Sequence, residues 1–228
     1  MSIIQSEVYV FIFDLSKKSS TNELVKVAAR EYYFRKNGTA FGEKKLSDEL
    51  FEVGHTGLGK PYFPNCREIF FSVSHSGEYL VCAVANENVG VDIEKTSDDT
   101  DKRFGDLKSR LIKIALRFFH PDEASIVKTD PIPRFYEVFT AKESYVKFTG
   151  SGFDETLSEH SVLPEHREMP SCHSSGEASW HADGVEFRQL VFKDDYTLCI
   201  CTENQSALQI VYVDDDTLQD VFKLNYNI

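Results

Sequence analysis

The chain is poor in several things that would have narrowed its function at once. It has one tryptophan, two methionines, seven prolines and five cysteines among 228 residues. No run of about 18 apolar residues occurs, so no membrane span is expected. The cysteine count is odd and three of the five lie in apolar runs, which predicts buried, reduced thiols of a cytoplasmic protein and not a disulfide framework. Cys199 and Cys201 have no partner Cys or His at zinc spacing. The first fourteen residues show no basic region ahead of their apolar stretch and no small-residue cleavage site, so no secretory signal is expected. Basic residues are outnumbered, 25 against 37 acidic, for a net charge of −12. That balance argues against general nucleic-acid binding. Missing too are the phosphate-cradling P-loop, the dinucleotide G-x-G-x-x-G and the serine-hydrolase G-x-S-x-G.

What is present is an ordinary α+β pattern. An apolar, β-branched run at 8–13 predicts a first strand. Thr21-Asn22 is placed to cap a helix over 23–36, and Gly38 to end it. Residues 54–65 carry three glycines and two prolines and predict a loop whose backbone can approach a ligand closely. Strands are expected at 69–74, 78–86 and 89–94, with a turn or helix start at His75-Ser76-Gly77. Helical spacing follows at 107–119, from Pro121, and at 134–148, where Pro131 and Pro133 are expected to break the chain first. Residues 158–183 read as loop with short strand pieces. Strands are predicted at 184–192, 197–202 and 207–213, and a short helix or tail at 217–222. One internal echo stands out. Glu78-Tyr79-Leu80-Val81-Cys82 and Asp195-Tyr196-Thr197-Leu198-Cys199 share an acid-Tyr-x-apolar-Cys pattern, as either a duplicated unit or convergent strand composition would give.

Two short segments carry the chemistry. In Gly90-Val91-Asp92-Ile93-Glu94-Lys95 the acids alternate with apolar residues, so on a strand both carboxylates project from one face. Two carboxylates on one face repel unless a cation or protons compensate them. In Phe139-Thr140-Ala141-Lys142-Glu143-Ser144-Tyr145-Val146-Lys147, a helix would bring Glu143 and Lys147 onto one face. Alone, that pair reads equally well as surface decoration, and the neighbouring Lys142 favours this reading. Three hard oxygen donors and an ammonium together suit a divalent cation and a phosphate-bearing substrate. The acidic net charge is compatible with that substrate if a metal supplies positive charge locally and a few lysines, among them Lys44, Lys45, Lys60, Lys142 and Lys147, focus at the site. His75 with its neighbouring N–H groups is a phosphate candidate or a turn residue.

In order and spacing, Gly59-Lys60-Pro61, Phe71-Ser72-Val73-Ser74-His75-Ser76-Gly77, Gly90 to Lys95, Arg117-Phe118-Phe119 with Glu123, and Lys142 to Lys147 resemble the 4′-phosphopantetheinyl transferase family, of the type that activates surfactin synthetase. The resemblance implies two similar, pseudo-duplicated α+β lobes, here 1–88 and 89–228, with coenzyme A bound in the cleft between them. It implies a monomer that transfers the phosphopantetheine arm of coenzyme A to a serine of an apo acyl- or peptidyl-carrier protein, leaving adenosine 3′,5′-bisphosphate. Asp92, Glu94 and Glu143 would hold Mg²⁺ (or Mn²⁺). Lys147 would neutralise the pyrophosphate, His75 would contact the 3′-phosphate with Ser74 nearby, and Lys60 would border the adenine. The base for the carrier serine would be Glu143 or a metal-bound water. The chain departs from the family at Phe139, where the family usually has Trp. Its N-terminal lobe is also short, without a clear match to the basic segment that grips the 3′-phosphate. That second departure motivates an alternative reading, a non-catalytic module that binds coenzyme A or a carrier protein.

Overall fold

A computed structural model describes residues 7–15, 20–38, 46–96, 106–152, 158–165, 168–193 and 195–213. Lys44, Lys45 and the predicted C-terminal helix lie outside them. In chain order the elements are β1 (Glu7–Asp14), α1 (Thr21–Asn37), β2 (Gly54–His55), β3 (Pro61–Tyr62), β4 (Phe70–Ser76), β5 (Tyr79–Ala85) and β6 (Val89–Lys95). Then follow α2 (Leu107–Phe118), α3 (Pro121–Thr129), α4 (Pro131–Thr149), α5 (Cys172–Ser175), β7 (Glu177–Ala182), β8 (Val185–Phe192), β9 (Tyr196–Thr202) and β10 (Ala207–Val213). They group into two compact units, 1–89 with 205–228, and 90–204. Among the described residues no helix is long and apolar enough to cross a membrane.

The first unit is a four-stranded sheet in the order β10-β1-β5-β4. Strand β1 pairs antiparallel with β5 and parallel with β10. This parallel pairing carries the 207–213 strand into the first unit, whereas the sequence reading grouped it with the second lobe. Helix α1 covers one face, burying Leu24, Val27, Ala28 and Tyr32 against Phe11, Phe13, Leu80 and Cys82. Its cap is Ser20, one residue before the expected Thr21-Asn22. Ser20 and Glu23 form a reciprocal capping box, which satisfies two N–H groups that the helix itself cannot. The helix ends on Gly38 at φ 63°, as its position predicts.

The second unit holds a sheet in the order β6-β9-β8-β7, with α4 packed on β9. Its core joins Leu111 and Ala115 of α2, Val127 of α3, and Val138 and Ala141 of α4 to Phe187 and Cys199. Helix α4 starts at Pro131, earlier than expected. Both prolines sit in its first turn, where backbone N–H groups have no intrahelical partner to lose. Phe139 stacks on Phe135, which stacks on Phe119, so this position serves packing. Strand β7 is one of the short strand pieces expected in the 158–183 stretch, and helix α5 is an addition to that reading. Trp180 of β7 anchors it by donating to the Val162 carbonyl at 2.7 Å.

In the first sheet β5 lies between β1 and β4, and in the second β9 lies between β6 and β8. The echoed segments are the inner strands β5 and β9.

Candidate active site

Residues 89–95 form β6, and its alternation puts Gly90, Asp92 and Glu94 on one face. That face meets α4, as two contacts establish. Lys147 Nζ donates to Asp92 Oδ1 at 2.6 Å. At Gly90 the backbone lies so close to α4 that a methyl group there would sit 1.9 Å from the Ser144 carbonyl oxygen. The opposite face, with Val89, Val91 and Ile93, is buried as well. Asp92 is 2 % exposed, while Glu143 and Lys147 are half-buried.

Electrostatics ties the three acids together. Burial pushes the Glu143 carboxyl up to about 7; the Asp92 and Glu94 charges push the same way, and Lys147 opposes them. At Glu143 the Lys147 ammonium thus does not outweigh burial and the two neighbouring carboxylates. Hard carboxylate oxygens facing one another in this way fit a divalent cation. In these side-chain conformations the three carboxylates stand wider than a closed ligand set. Among the described residues only Glu137, Cys172 and His173 have ligand atoms all within 4.8 Å of one another.

That second cluster is a staple. Glu137 is fully buried. One carboxylate oxygen accepts from the Ser171 hydroxyl at 2.6 Å, the His173 N–H at 3.2 Å and the Cys172 thiol at 3.7 Å. The other accepts from Arg134 at 2.9 Å. Burial and the Glu137 charge raise the Cys172 thiol far above its ordinary range. A cation there would face a guanidinium and a protonated thiol.

Lys142 and Glu123 also belong to the framework. Lys142 is 1 % exposed, in place of the surface position that the sequence suggested. Its ammonium lies 2.7 Å from Glu123 Oε2 and donates to the His160 carbonyl at 2.6 Å. Glu123 also accepts from the His120 and Val162 N–H groups, joining α3, α4 and the 158–165 segment. The Tyr145 hydroxyl donates to Asp183 at the β7–β8 turn. A cavity of about 610 Å³ beside Trp180 and His181 includes none of the predicted site residues.

The remaining predicted residues lie in the first unit. Lys60 Nζ donates to Asn88 Oδ1 at 2.6 Å, which ties the β2–β3 hairpin to the β5–β6 turn. Strand β4 runs on through His75 to Ser76, and the turn comes at Gly77, φ 55°. His75 is therefore an exposed residue on a strand and not a helix start, and it projects from the opposite face to Ser74.

The profile of the 4′-phosphopantetheinyl transferase superfamily matches residues 88–201. The chain belongs to that superfamily. A 4′-phosphopantetheinyl transferase of Bacillus subtilis is 30% identical over 178 residues, 76% of this chain and 67% of the relative. The transferase gsp of Aneurinibacillus migulanus is 39% identical over 98 residues, covering 41% of this chain and 36% of its own length. The transferase Sfp of Bacillus subtilis strain 168 is 29% identical over 157 residues, covering 65% and 60%. The chain thus spans from about a third to two thirds of these transferases. The superfamily match includes β6 and α4, the two elements that carry the acids, Lys147 and the Gly90 contact.

Proposed function

We propose that this chain transfers the 4′-phosphopantetheine arm of coenzyme A to a serine hydroxyl of an apo acyl- or peptidyl-carrier protein. The observation that supports this reading is the contact of Asp92 on β6 with Lys147 on α4, elements that also carry Glu94 and Glu143 and lie within the transferase superfamily match. Asp92, Glu94 and Glu143 would hold a divalent cation, Mg²⁺ or Mn²⁺. When bound, it supplies Lewis-acid polarisation of the diphosphate.

The chain's own residues do the rest. Glu143 accepts the proton of the carrier serine as the new serine O–P bond forms. The P–O bond to the adenosine 3′,5′-bisphosphate breaks, and the Lys147 ammonium offsets charge on that leaving group. In the first unit, Lys60 is held by Asn88 for the adenine side of coenzyme A, and His75 is offered to the 3′-phosphate. The shared strand order and the echo between β5 and β9 support reading the two units as copies of one β-α-β-β plan.

The test is intact-mass spectrometry of apo carrier proteins incubated with the chain, coenzyme A and Mg²⁺. A gain of about 340 Da on the carrier serine is expected, the mass of the phosphopantetheine arm in phosphodiester linkage. No gain across acyl- and peptidyl-carrier proteins, with Mg²⁺-dependent coenzyme A binding by calorimetry, would replace a transferase with a binding module.

A further inference from the structure

We infer that Gly90 is a positioning residue, whose missing side chain sets the distance between β6 and α4 and so brings Asp92 within reach of the Glu143–Lys147 face. This deepens the reading above and rests on it for the metal. Gly90 does not have a left-handed φ, so its backbone would accept any residue, and the requirement for glycine here is one of space alone. A Cβ built on it would lie 1.9 Å from the Ser144 carbonyl oxygen, 2.6 Å from the Phe148 nitrogen and 2.9 Å from Phe148 Cβ. Ser144 and Phe148 are four residues apart on α4, so these backbone atoms belong to a single helical turn. Glu143 immediately precedes that turn and Lys147 lies within it. The strand therefore rests directly on the stretch of helix that carries both functional side chains.

The neighbouring strand repeats the closeness. The Ser144 hydroxyl lies 3.4 Å from Cys199 Sγ on β9, and both residues are fully buried. Two of the contacts are to backbone atoms of a regular helix and the third is to Phe148 Cβ, none of which can rotate away as a side-chain tip can. A methyl at position 90 must move α4 bodily from β6. Asp92, the next residue on the same face, spans that gap with a 2.6 Å contact to Lys147. A short Asp side chain cannot follow a helix that retreats.

The experiment compares Gly90→Ala with Val138→Ala, a core variant on α4 that loosens packing without wedging the helix from β6. Mn²⁺ affinity is measured by calorimetry for each. Gly90→Ala is expected to weaken Mn²⁺ binding at least tenfold, and Val138→Ala to leave it unchanged. Urea unfolding of Asp92→Asn, Lys147→Gln and the double variant, taken as a cycle, measures their coupling. That coupling is expected in the parent and lost in Gly90→Ala. Should Gly90→Ala fail to fold, Cys199→Val pushes on the same turn from β9 and is expected to weaken both readouts in the same direction. A folded Gly90→Ala, or in its place Cys199→Val, with parental Mn²⁺ affinity and intact coupling overturns the inference. A parent protein that binds no Mn²⁺ removes the metal reading, and the coupling then decides the role of Gly90 by itself.

Discussion

The Lys147 ammonium stands 2.6 Å from Asp92 Oδ1, and this contact joins the last turn of α4 to the middle of β6. It couples residues that are 55 positions apart in the chain. It also ties the cation proposed to face the pyrophosphate to an acid proposed to hold the metal.

Removing either partner has separable consequences. Asp92→Asn should reduce transfer by about 10²-fold or more, the scale of losing one preorganised electrostatic group, with an unchanged circular dichroism spectrum. Lys147→Met removes the ammonium that donates to the buried Asp92 carboxylate and should destabilise the metal-free protein by about 1–3 kcal/mol. Added Mn²⁺ should return most of that stability in thermal unfolding. A variant that Mn²⁺ does not rescue would separate Asp92 from the ion.

Glu143 gives a pH dependence with a definite sign. Its carboxyl rises from 4.5 to about 7 in the folded protein. Between those values the folded state holds a proton that the unfolded state has released. Stability of the metal-free protein should therefore fall as pH rises through this window, by on the order of 1–2 kcal/mol after solvent screening. Glu143→Gln should remove that slope in urea titrations at pH 5 and pH 8. Ligation needs the carboxylate, so cation binding at pH 7 should release close to half a proton, and calorimetry in buffers of different ionisation enthalpy reads it directly.

The Lys142–Glu123 pair is fully enclosed, and breaking it should cost more than breaking an exposed pair. Lys142→Met alone should lower stability by about 3–5 kcal/mol, because it leaves Glu123 buried without its ammonium partner. Adding Glu123→Gln should recover much of the loss. Denaturant midpoints of the two singles and the double make the cycle. Mn²⁺ affinity of the double variant should match the parent, since neither side chain is among the proposed ligands.

Glu137 offers a contrast between staple and metal centre. If its carboxylate only gathers Arg134, Ser171 and the N-terminus of α5, a chelator should leave the thermal midpoint unchanged. Glu137→Gln should lower stability by about 1–3 kcal/mol through weakened charge-assisted hydrogen bonds. A chelator-sensitive midpoint that Zn²⁺ restores, and that Glu137→Gln abolishes, would instead make the cluster a metal site.

Much of this architecture is legible along the chain, because it depends on local periodicity. Alternation in 89–95 places Asp92 and Glu94 on one face, and the i, i+4 spacing of Glu143 and Lys147 does the same on a helix. Gly38 ends α1 for a reason a sequence displays. Where the reading departs from the structure, the deciding contact is distant. Lys142 has an ordinary helical position, and only the approach of Glu123 and the His160 carbonyl makes it a core residue. The β7 strand is one of the short strand pieces expected in its stretch, but its place was not legible, because it owes its order to β8 and to the Trp180 anchor. His75 extends a strand because Leu80 pairs with it across the hairpin.

The amino-acid order by itself determined the types of the longer elements, the acidic faces and the resemblance to a transferase family, since those follow from residue chemistry at short spacing. Tertiary structure decided that β10 returns to pair with β1, that Lys142 is enclosed, and that Gly90 lets α4 settle against β6. Each of those depends on a contact between segments distant in the chain, for which local periodicity holds no signal.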